Sequence, residues 1–287
     1  MTQTLTRRGF LSATATVLGA SAGAVLAEAR PFALGLTPVF LSNDTDLLRN
    51  FQNYLQSSMQ GPVEFVQRRT YEEITGMLLE GSLDAAWVCG YPYVQHEDAF
   101  ALVAVPVWQY QPLYRSYLIA AKDSGAQGLT DLRGTLHAFS DPNSNSGFLV
   151  TASDLAALDE RPESFFRRTI FTYGHRNVVR AIAVGLAESG SVDGYVWEAL
   201  TVVEPELTDQ TRIVQRSELL GFPPVVCRID RAETPSIRAL QAALVNMPST
   251  ATGMNALTLL QLDGFTPGSS ALFDGIAARM RRLNARG

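Results

Sequence analysis

The chain has 287 residues, with 46% hydrophobic and 18% charged side chains and a formal net charge of −5. This length is enough for one large core or two smaller lobes, and the composition is that of an ordinary globular protein. Because no run of basic residues stands out, nucleic acid is excluded as an expected partner.

Residues 1–29 have the pattern of a twin-arginine signal peptide. Arg7 and Arg8 precede an uncharged, mildly apolar run from 10 to 27, and small residues suited to cleavage follow at 27–29. The run is too short and too weakly hydrophobic for a confident membrane span. We therefore predict that the peptide is cleaved near residues 27–29 and that the mature protein works in the periplasm.

From residue 32 onward, strand-like and helix-like segments alternate over short loops. The first predicted elements are a strand at 32–37, a helix capped at 42–44, a strand at 63–67, a helix from Tyr71 capped by Thr70, and a strand at 84–89 that ends in a turn. The next are strands at 116–121, 136–139, 169–172, 191–196 and 212–215, a short polar helix at 128–134, and helices after the loop that follows Phe139 and from His175. The last are a strand at 225–227 and a helical tail over 233–287, interrupted near Phe265.

This alternation predicts an α/β fold with two lobes, each a mostly parallel sheet flanked by helices. Lobe 1 is predicted to comprise 30–114 and 222–287, and lobe 2 to comprise 115–221, with hinge strands where the chain crosses between them. A ligand in such a fold is expected between the lobes, beyond the carboxyl ends of the strands.

The loop sequence FSDPNSNSGFLVT, over 139–151, joins a predicted strand to the start of a helix. Ser144, Asn145 and Ser146 place two hydroxyls and an amide at a helix N-terminus, where unpaired N–H groups and the helix dipole favour an anion. The alternative is plain helix capping, with these residues present for backbone geometry. One capping residue would suffice for that, so the pattern favours an anion site.

Three segments together resemble the PhnD-like family, the phosphonate- and phosphite-type periplasmic solute-binding proteins of ABC transporters. They are TYEEITGMLLEGSLDAAWVCGYPYV, YRSYLIAAKDSGAQGLTDLRGTLHAFSDPNSNSGFLVT and GHRNVVRAIAVGLAESGSVDGYV. The resemblance covers most of 30–228. It implies a type II periplasmic binding fold that closes on a small oxyanion such as phosphonate, phosphite or phosphate. It also implies no catalysis and no cofactor.

The resemblance places ligand-contacting tyrosines at Tyr71 and Tyr114, whose phenols can donate to an oxyanion without carrying charge. It also aligns His175 with the family's Gly-Ser-His, although here the triplet is Tyr173-Gly174-His175. The alternatives are tyrosines that cover a lobe surface and a histidine satisfied by backbone groups.

Two segments depart from the family pattern. Trp197 and Glu198 stand where small residues are expected, so they are predicted to select the ligand, or else to pack at a helix N-terminus. Cys89, Tyr91 and Tyr93 are predicted to form another wall of the pocket. A thiol there makes a thiophilic oxyanion such as arsenite conceivable, whereas the alternative is a buried cysteine at a strand end.

The two cysteines, Cys89 and Cys227, leave three states open: a disulfide, two buried free thiols, or a metal or metalloid site. A hydrolase built on Ser146, His175 and Glu198 is disfavoured because no Gly-x-Ser-x-Gly pattern surrounds the serine. No cofactor motif and no paired histidine spacing are present in the sequence, so neither a cofactor nor a metal is predicted.

The sequence therefore predicts a monomeric, non-enzymatic binding protein that delivers its ligand to an ABC transporter permease. The alternative is a periplasmic sensor, for arsenite or another oxyanion, that feeds a membrane histidine kinase. Both would use the same fold and the same site.

Overall fold

The structure of the chain is a computed structural model, and it describes residues 1–2, 30–38 and 44–285. Residues 3–29 of the predicted signal peptide at 1–29, and the first two residues of the predicted cap at 42–44, lie outside this part. None of the helices in the described ranges is long and apolar enough to cross a membrane.

Thirteen strands are described, and they form two main sheets and one short pair. In chain order they are β1 (Phe32–Leu36), β2 (Val63–Gln67), β3 (Ala85–Trp87), β4 (Phe100–Val107), β5 (Leu113–Tyr114), β6 (Ser116–Ala121), β7 (Leu136–Phe139), β8 (Arg168–Phe171), β9 (Ser189–Asp193), β10 (Thr211–Arg216), β11 (Leu220–Gly221), β12 (Val225–Arg228) and β13 (Gly264–Thr266). The first sheet has the order β13-β4-β12-β3-β1-β2, and the second has the order β10-β6-β9-β7-β8.

Helices alternate with these strands over most of the described chain. They are α1 (Thr45–Met59), α2 (Tyr71–Leu79), α3 (Gly90–Gln95), α4 (Val150–Ala156), α5 (Pro162–Phe165), α6 (His175–Ala183), α7 (Gly194–Val203), α8 (Pro205–Thr208), α9 (Pro235–Val245), α10 (Ala251–Leu260) and α11 (Asp274–Asn284). Asp44 caps α1 and Thr70 caps α2 with its side chain, as the sequence predicts. Because of these local hydrogen bonds, each helix begins close to the residue at which its start is predicted.

The α/β class is confirmed, but each sheet is mixed rather than mostly parallel. Strands β1, β2 and β3 pair in parallel, as do β7, β8 and β9. The remaining pairs in both sheets are antiparallel. The physical reason in the first sheet is that β4 leads the chain away and β12 brings it back, so the two strands run in opposite senses.

The chain crosses between the two sheets through a short antiparallel pair, β5 and β11, in which Leu220 lies opposite Tyr114. The strands of the first sheet lie within 32–107 and 225–266, and those of the second within 116–216. The pair therefore corresponds to the predicted hinge strands. The exact lobe boundaries remain a prediction.

Three element predictions differ from the structure. Strand β4 was not predicted, and the predicted interruption of the helical tail near Phe265 is a strand, β13; the two strands pair with each other, so neither is marked by a local signal alone. The strand predicted at 191–196 ends at Asp193, because this side chain accepts from the N–H groups of Tyr195 and Val196 and caps α7. The segment with Trp197 therefore lies on α7.

Candidate functional site

The serine-rich loop after β7 forms a π-helical turn at Asn145–Leu149, which continues into α4. Ser144 caps this turn, since its Oγ accepts from Gly147 N at 2.9 Å. Its carbonyl accepts from Leu149 N, five residues on. Single π turns of this kind occur frequently at functional sites. The first N–H groups of the turn have no helical partners, and the first of them, Asn145 N, donates to the Cys89 thiol beyond a strand of the first sheet.

Seven side chains meet at this turn, and all are buried. We call them the polar cluster: Tyr71, Cys89, Tyr114, Asn145, Ser146, His175 and Asp193. Each of them follows or ends a strand. Tyr71 and Cys89 follow strands of the first sheet, Tyr114 ends β5, and the other four follow or end strands of the second sheet. The cluster thus lies beyond strand ends of both sheets, the region in which α/β proteins bind ligands.

The histidine and a tyrosine of the cluster join the two sides of the site. His175 Nε2 lies 3.2 Å from Tyr71 Oη, and His175 Nδ1 accepts from Asp193 N at 3.1 Å. A backbone N–H can only donate, so Nδ1 carries no proton, and the neutral ring must carry it on Nε2. His175 therefore donates to the Tyr71 oxygen, and the phenol proton of Tyr71 is directed to Pro38 O at the long distance of 3.5 Å.

The asparagine of the cluster makes two further contacts across the site. Asn145 Nδ2 donates to Tyr114 Oη at 2.8 Å, and Asn145 N donates to Cys89 Sγ at 3.2 Å. Tyr71 is fixed by a separate bond, from its N–H to Asp141 Oδ2 at 3.2 Å. The loop that follows β7 therefore contacts residues after β2 and after β3, and also Tyr114 of the hinge strand β5.

Several buried polar atoms of this region have no hydrogen-bond partner among the described residues. They are Asn145 Oδ1, Ser146 Oγ, Asp193 Oδ2 and, next to the cluster, Ser140 Oγ. The Ser146 hydroxyl does lie close enough to the Tyr114 phenol to lower its pKa, without making a bond of normal geometry. Exchanging the Asn145 amide atoms would leave its nitrogen unpartnered instead. Buried polar atoms normally have partners, so this concentration marks the cluster as the candidate binding site.

Burial makes nearly every ionisable group in the cluster neutral. It lowers the pKa of His175 to about 3 and raises the pKa of the Cys89 thiol to about 12. Burial, and then the neighbouring acidic groups, raise the pKa of Tyr71 and Tyr114 well above the usual value. The cluster therefore offers neutral donors, which bind an anion by hydrogen bonds rather than by opposite charge.

The profile of one protein family, described as the periplasmic substrate-binding protein of phosphonate ABC transporters, matches residues 34–273. The chain belongs to this phosphonate-binding family. The predicted family resemblance is thereby confirmed.

Two curated relatives have matching names. The chain is 31% identical over 127 residues to the phosphonates-binding periplasmic protein of Escherichia coli, covering 43% of this chain and 37% of the relative. It is 29% identical over 179 residues to the phosphate-import protein PhnD of Mycolicibacterium smegmatis, covering 57% and 56%. The chain thus aligns with about a third to a half of these relatives.

Solved structures support the same fold. The binding protein component of a phosphonate ABC transporter from Pseudomonas aeruginosa superposes with a TM-score of 0.81 at 22% identity, over 90% of this chain and 89% of that one. PhnD1 from Prochlorococcus marinus, in complex with methylphosphonate, gives 0.77 at 18% identity, over 88% and 98%. The predicted type II periplasmic binding fold is thereby confirmed.

The structure does not bring every predicted site residue of this family member into the cluster. Trp197 Nε1 donates to Thr211 Oγ1, and Glu198 accepts from Tyr117 Oη, so both side chains bond to groups near the β6–β10 edge. Both residues are half-buried on α7, and Trp197 packs against the hydrophobic core. These bonds give no support to the ligand-selecting role predicted for the pair.

The tyrosines after Cys89 lie on α3, where the sequence suggested only a turn. Tyr93 is buried against Phe273, with ring centroids 4.7 Å apart, and Tyr91 is half-buried against the apolar core. Their phenol groups make no described hydrogen bond to the polar cluster, although Tyr93 N donates to Cys89 O at 3.3 Å and the Tyr91 backbone N–H bonds to the Cys89 thiol. Of the three side chains of this predicted wall, only that of Cys89 belongs to the cluster.

The two cysteines are free and buried, so of the three states left open the structure has two thiols. Within the described ranges no group of three acidic, cysteine or histidine side chains is suited to a metal ion. The geometry also gives no support to the hydrolase alternative: His175 bonds to Tyr71 and to Asp193 N, whereas Glu198 bonds to Tyr117.

Two aspartates were not predicted as site residues. Asp141 fixes the N-terminus of α2, and Asp193 closes the cluster from the end of β9. Asp141 lies two residues after β7 and Asp193 is the last residue of β9, so the available signal was an aspartate at the end of a buried strand. It was missed because an aspartate at this place is usually a simple helix cap.

Proposed function

We propose that this protein captures a small phosphorus oxyanion, a phosphonate, phosphite or phosphate, in the polar cluster and delivers it to the permease of an ABC transporter. The observation that supports this most is the concentration of unpartnered buried polar atoms at the π turn, beside the neutral donors of Tyr71, Tyr114 and His175. The names of the two curated relatives agree with this ligand class. We place the protein in the periplasm and propose that it acts as a monomer without enzymatic activity.

The mechanism follows from where the donors lie. Tyr71 belongs to the side of the first sheet, whereas Ser146 and His175 belong to the side of the second. An oxyanion that accepts from both sides is bound completely only when the sides are closed, so the ligand shifts the population towards the closed form. On binding, the Tyr71 and Tyr114 protons turn to the ligand oxygens, which also take the protons that His175 Nε2 and Asn145 Nδ2 now donate to the two phenols.

The sensor alternative would use the same fold, but no feature of the site favours it. A thiophilic ligand such as arsenite binds thiolates, and the single thiol here is held in its protonated form by burial. The transport function is therefore the better supported of the two.

The proposed site is tested by removing one phenol proton at a time. Tyr71→Phe and Tyr114→Phe are each expected to weaken binding of methylphosphonate or phosphate by roughly tenfold, or about 1.5 kcal/mol, because a hydrogen bond to an anion is lost. Isothermal titration calorimetry with the full chain measures this.

Tyr54→Phe is the matched control. It removes another buried hydroxyl, which donates to Ala243 O at 2.6 Å outside the cluster. This variant should lose stability and keep its affinity. Unchanged affinity in both cluster variants would contradict the assigned site.

A further inference from the structure

Asp193 uses its two carboxyl oxygens differently. Oδ1 accepts from Tyr195 N at 2.9 Å and from Val196 N at 3.3 Å, and so caps α7. Oδ2 is buried and has no partner among the described residues. One oxygen is therefore sufficient for the cap, while the other is held at the polar cluster without a structural bond.

The groups that face this carboxyl come from five elements and their flanking residues. They are Tyr71 at the start of α2, Cys89 before α3, Tyr114 of β5, His175 at the start of α6, and Tyr195 of α7. Asp141, after β7, acts on the same tyrosine and thiol. Near pH 7 none of these groups is a cation, because burial keeps the histidine neutral.

A doubly charged oxyanion bound next to an ionised Asp193 would place three negative charges in a buried site with neutral donors. At hydrogen-bond distance and low effective dielectric, such repulsion is severe. One proton between the carboxyl and the ligand removes it. The same proton gives Asp193 Oδ2 a hydrogen bond to the ligand.

We propose that Asp193 Oδ2 and the bound oxyanion share one proton, so that the protein selects tetrahedral oxyanions that bind together with a proton. This inference rests on the proposed function and specifies the charge state of its ligand. The proton either stays on the carboxyl and is donated to a ligand oxygen, or stays on a P–OH group and is donated to the carboxylate. No covalent bond other than that of the proton changes, and the proton comes from the ligand or from water.

Burial also raises the pKa of Asp193 to about 8, so the free protein already holds this proton at neutral pH. The sign of the linkage follows from this. Below pH 8 the proton is present in both the free and the bound protein, and its contribution to affinity does not change. Above pH 8 it must be taken up on binding, so affinity falls by up to tenfold per pH unit.

The test compares the full chain with Asp193→Asn by calorimetric titration of methylphosphonate from pH 6 to pH 10. Asparagine keeps the capping oxygen and replaces the free one with an N–H donor that does not titrate. The titration of the ligand itself is common to both proteins. The ratio of the wild-type Kd to the variant Kd is expected to be constant up to about pH 8 and then to rise up to tenfold per unit.

Asp44→Asn is the matched control, because Asp44 caps α1 through the same two kinds of backbone bond but is exposed. Its pH profile should follow the wild type. A Kd ratio for Asp193→Asn that stays constant from pH 6 to pH 10 would overturn the inference and leave the proposed function standing. Failure of wild-type protein to bind methylphosphonate or phosphate at any pH would overturn both.

A second measurement keeps the inference testable if Asp193→Asn does not fold. Wild-type protein is titrated at pH 9 in two buffers of different ionisation enthalpy, which counts the protons taken up with the ligand. We expect an uptake above that required by methylphosphonate alone, approaching one proton. No excess uptake would overturn the inference.

Discussion

Replacing Gly147 with alanine is expected to abolish methylphosphonate binding and to lower the free energy of unfolding by about 3 kcal/mol. A Cβ at this position would lie 1.8 Å from Ser140 Oγ and 2.7 Å from Ser140 Cβ. The residue lies within the π turn, and its carbonyl accepts from Ser140 N. Either the turn or the end of β7 must move, and the donors at Asn145 and Ser146 move with it. Urea denaturation and calorimetric titration measure the two effects.

The control is Gly76→Ala, in the middle of α2. Nothing lies within 4 Å of the added Cβ there. Alanine is the better helix former, so this variant should gain roughly 0.5–1 kcal/mol of stability and keep its affinity. If Gly147→Ala binds methylphosphonate as tightly as the wild type, the π turn does not form the anion site.

Replacing Arg279 with methionine is expected to lower the free energy of unfolding by about 3 kcal/mol, because it leaves two carboxylates and a carbonyl without their donor. Arg279 lies on α11 and is buried. Its guanidinium donates to Asp154 Oδ1 at 2.7 Å, to Val150 O at 3.1 Å, and to both oxygens of Glu218. We place the effect at the lower end of the range for buried ion pairs because Glu218 is half-exposed.

This arginine connects the C-terminal helix to the helix that begins at the π turn. Ile276, which also lies on α11, packs closely against Gly90 at the start of α3. Denaturation of Arg279→Met measures the loss. Arg49→Ala is the control, since Arg49 and Asp46 form an exposed pair that should contribute at most about 0.5 kcal/mol. Equal stability of the two variants would show that the Arg279 network does not stabilise the fold.

Much of the scaffold could be predicted from sequence because its signals are local. The caps at Asp44 and Thr70, the apolar period of α1 and the short strand at 63–67 each depend on residues close in sequence. Strands β4 and β13 were not predicted because each is stabilised by pairing with a distant partner. The antiparallel additions to both sheets depend on the path of the chain between them, which no local pattern records.

In the site, too, the residues with a local sequence signal could be predicted and those that depend on distant contacts could not. The serine-rich loop, Tyr71, Tyr114 and His175 were predicted from the loop chemistry and the family resemblance, and the structure brings them together. Their role in binding remains our proposal. Trp197 and Glu198 lie on α7 and bond to Thr211 and Tyr117 rather than to the cluster, so their selection of the ligand stays a prediction. The free oxygen of Asp193 could not be predicted, since only packing in three dimensions leaves it without a partner.

The most direct test of the central claim is a crystal structure of the protein with methylphosphonate. The account predicts that the phosphonate oxygens lie within hydrogen-bond distance of Tyr71 Oη, Tyr114 Oη and Ser146 Oγ, with one oxygen at Asp193 Oδ2. Phosphonate bound elsewhere, with the cluster still bonded to itself as described here, would contradict the account.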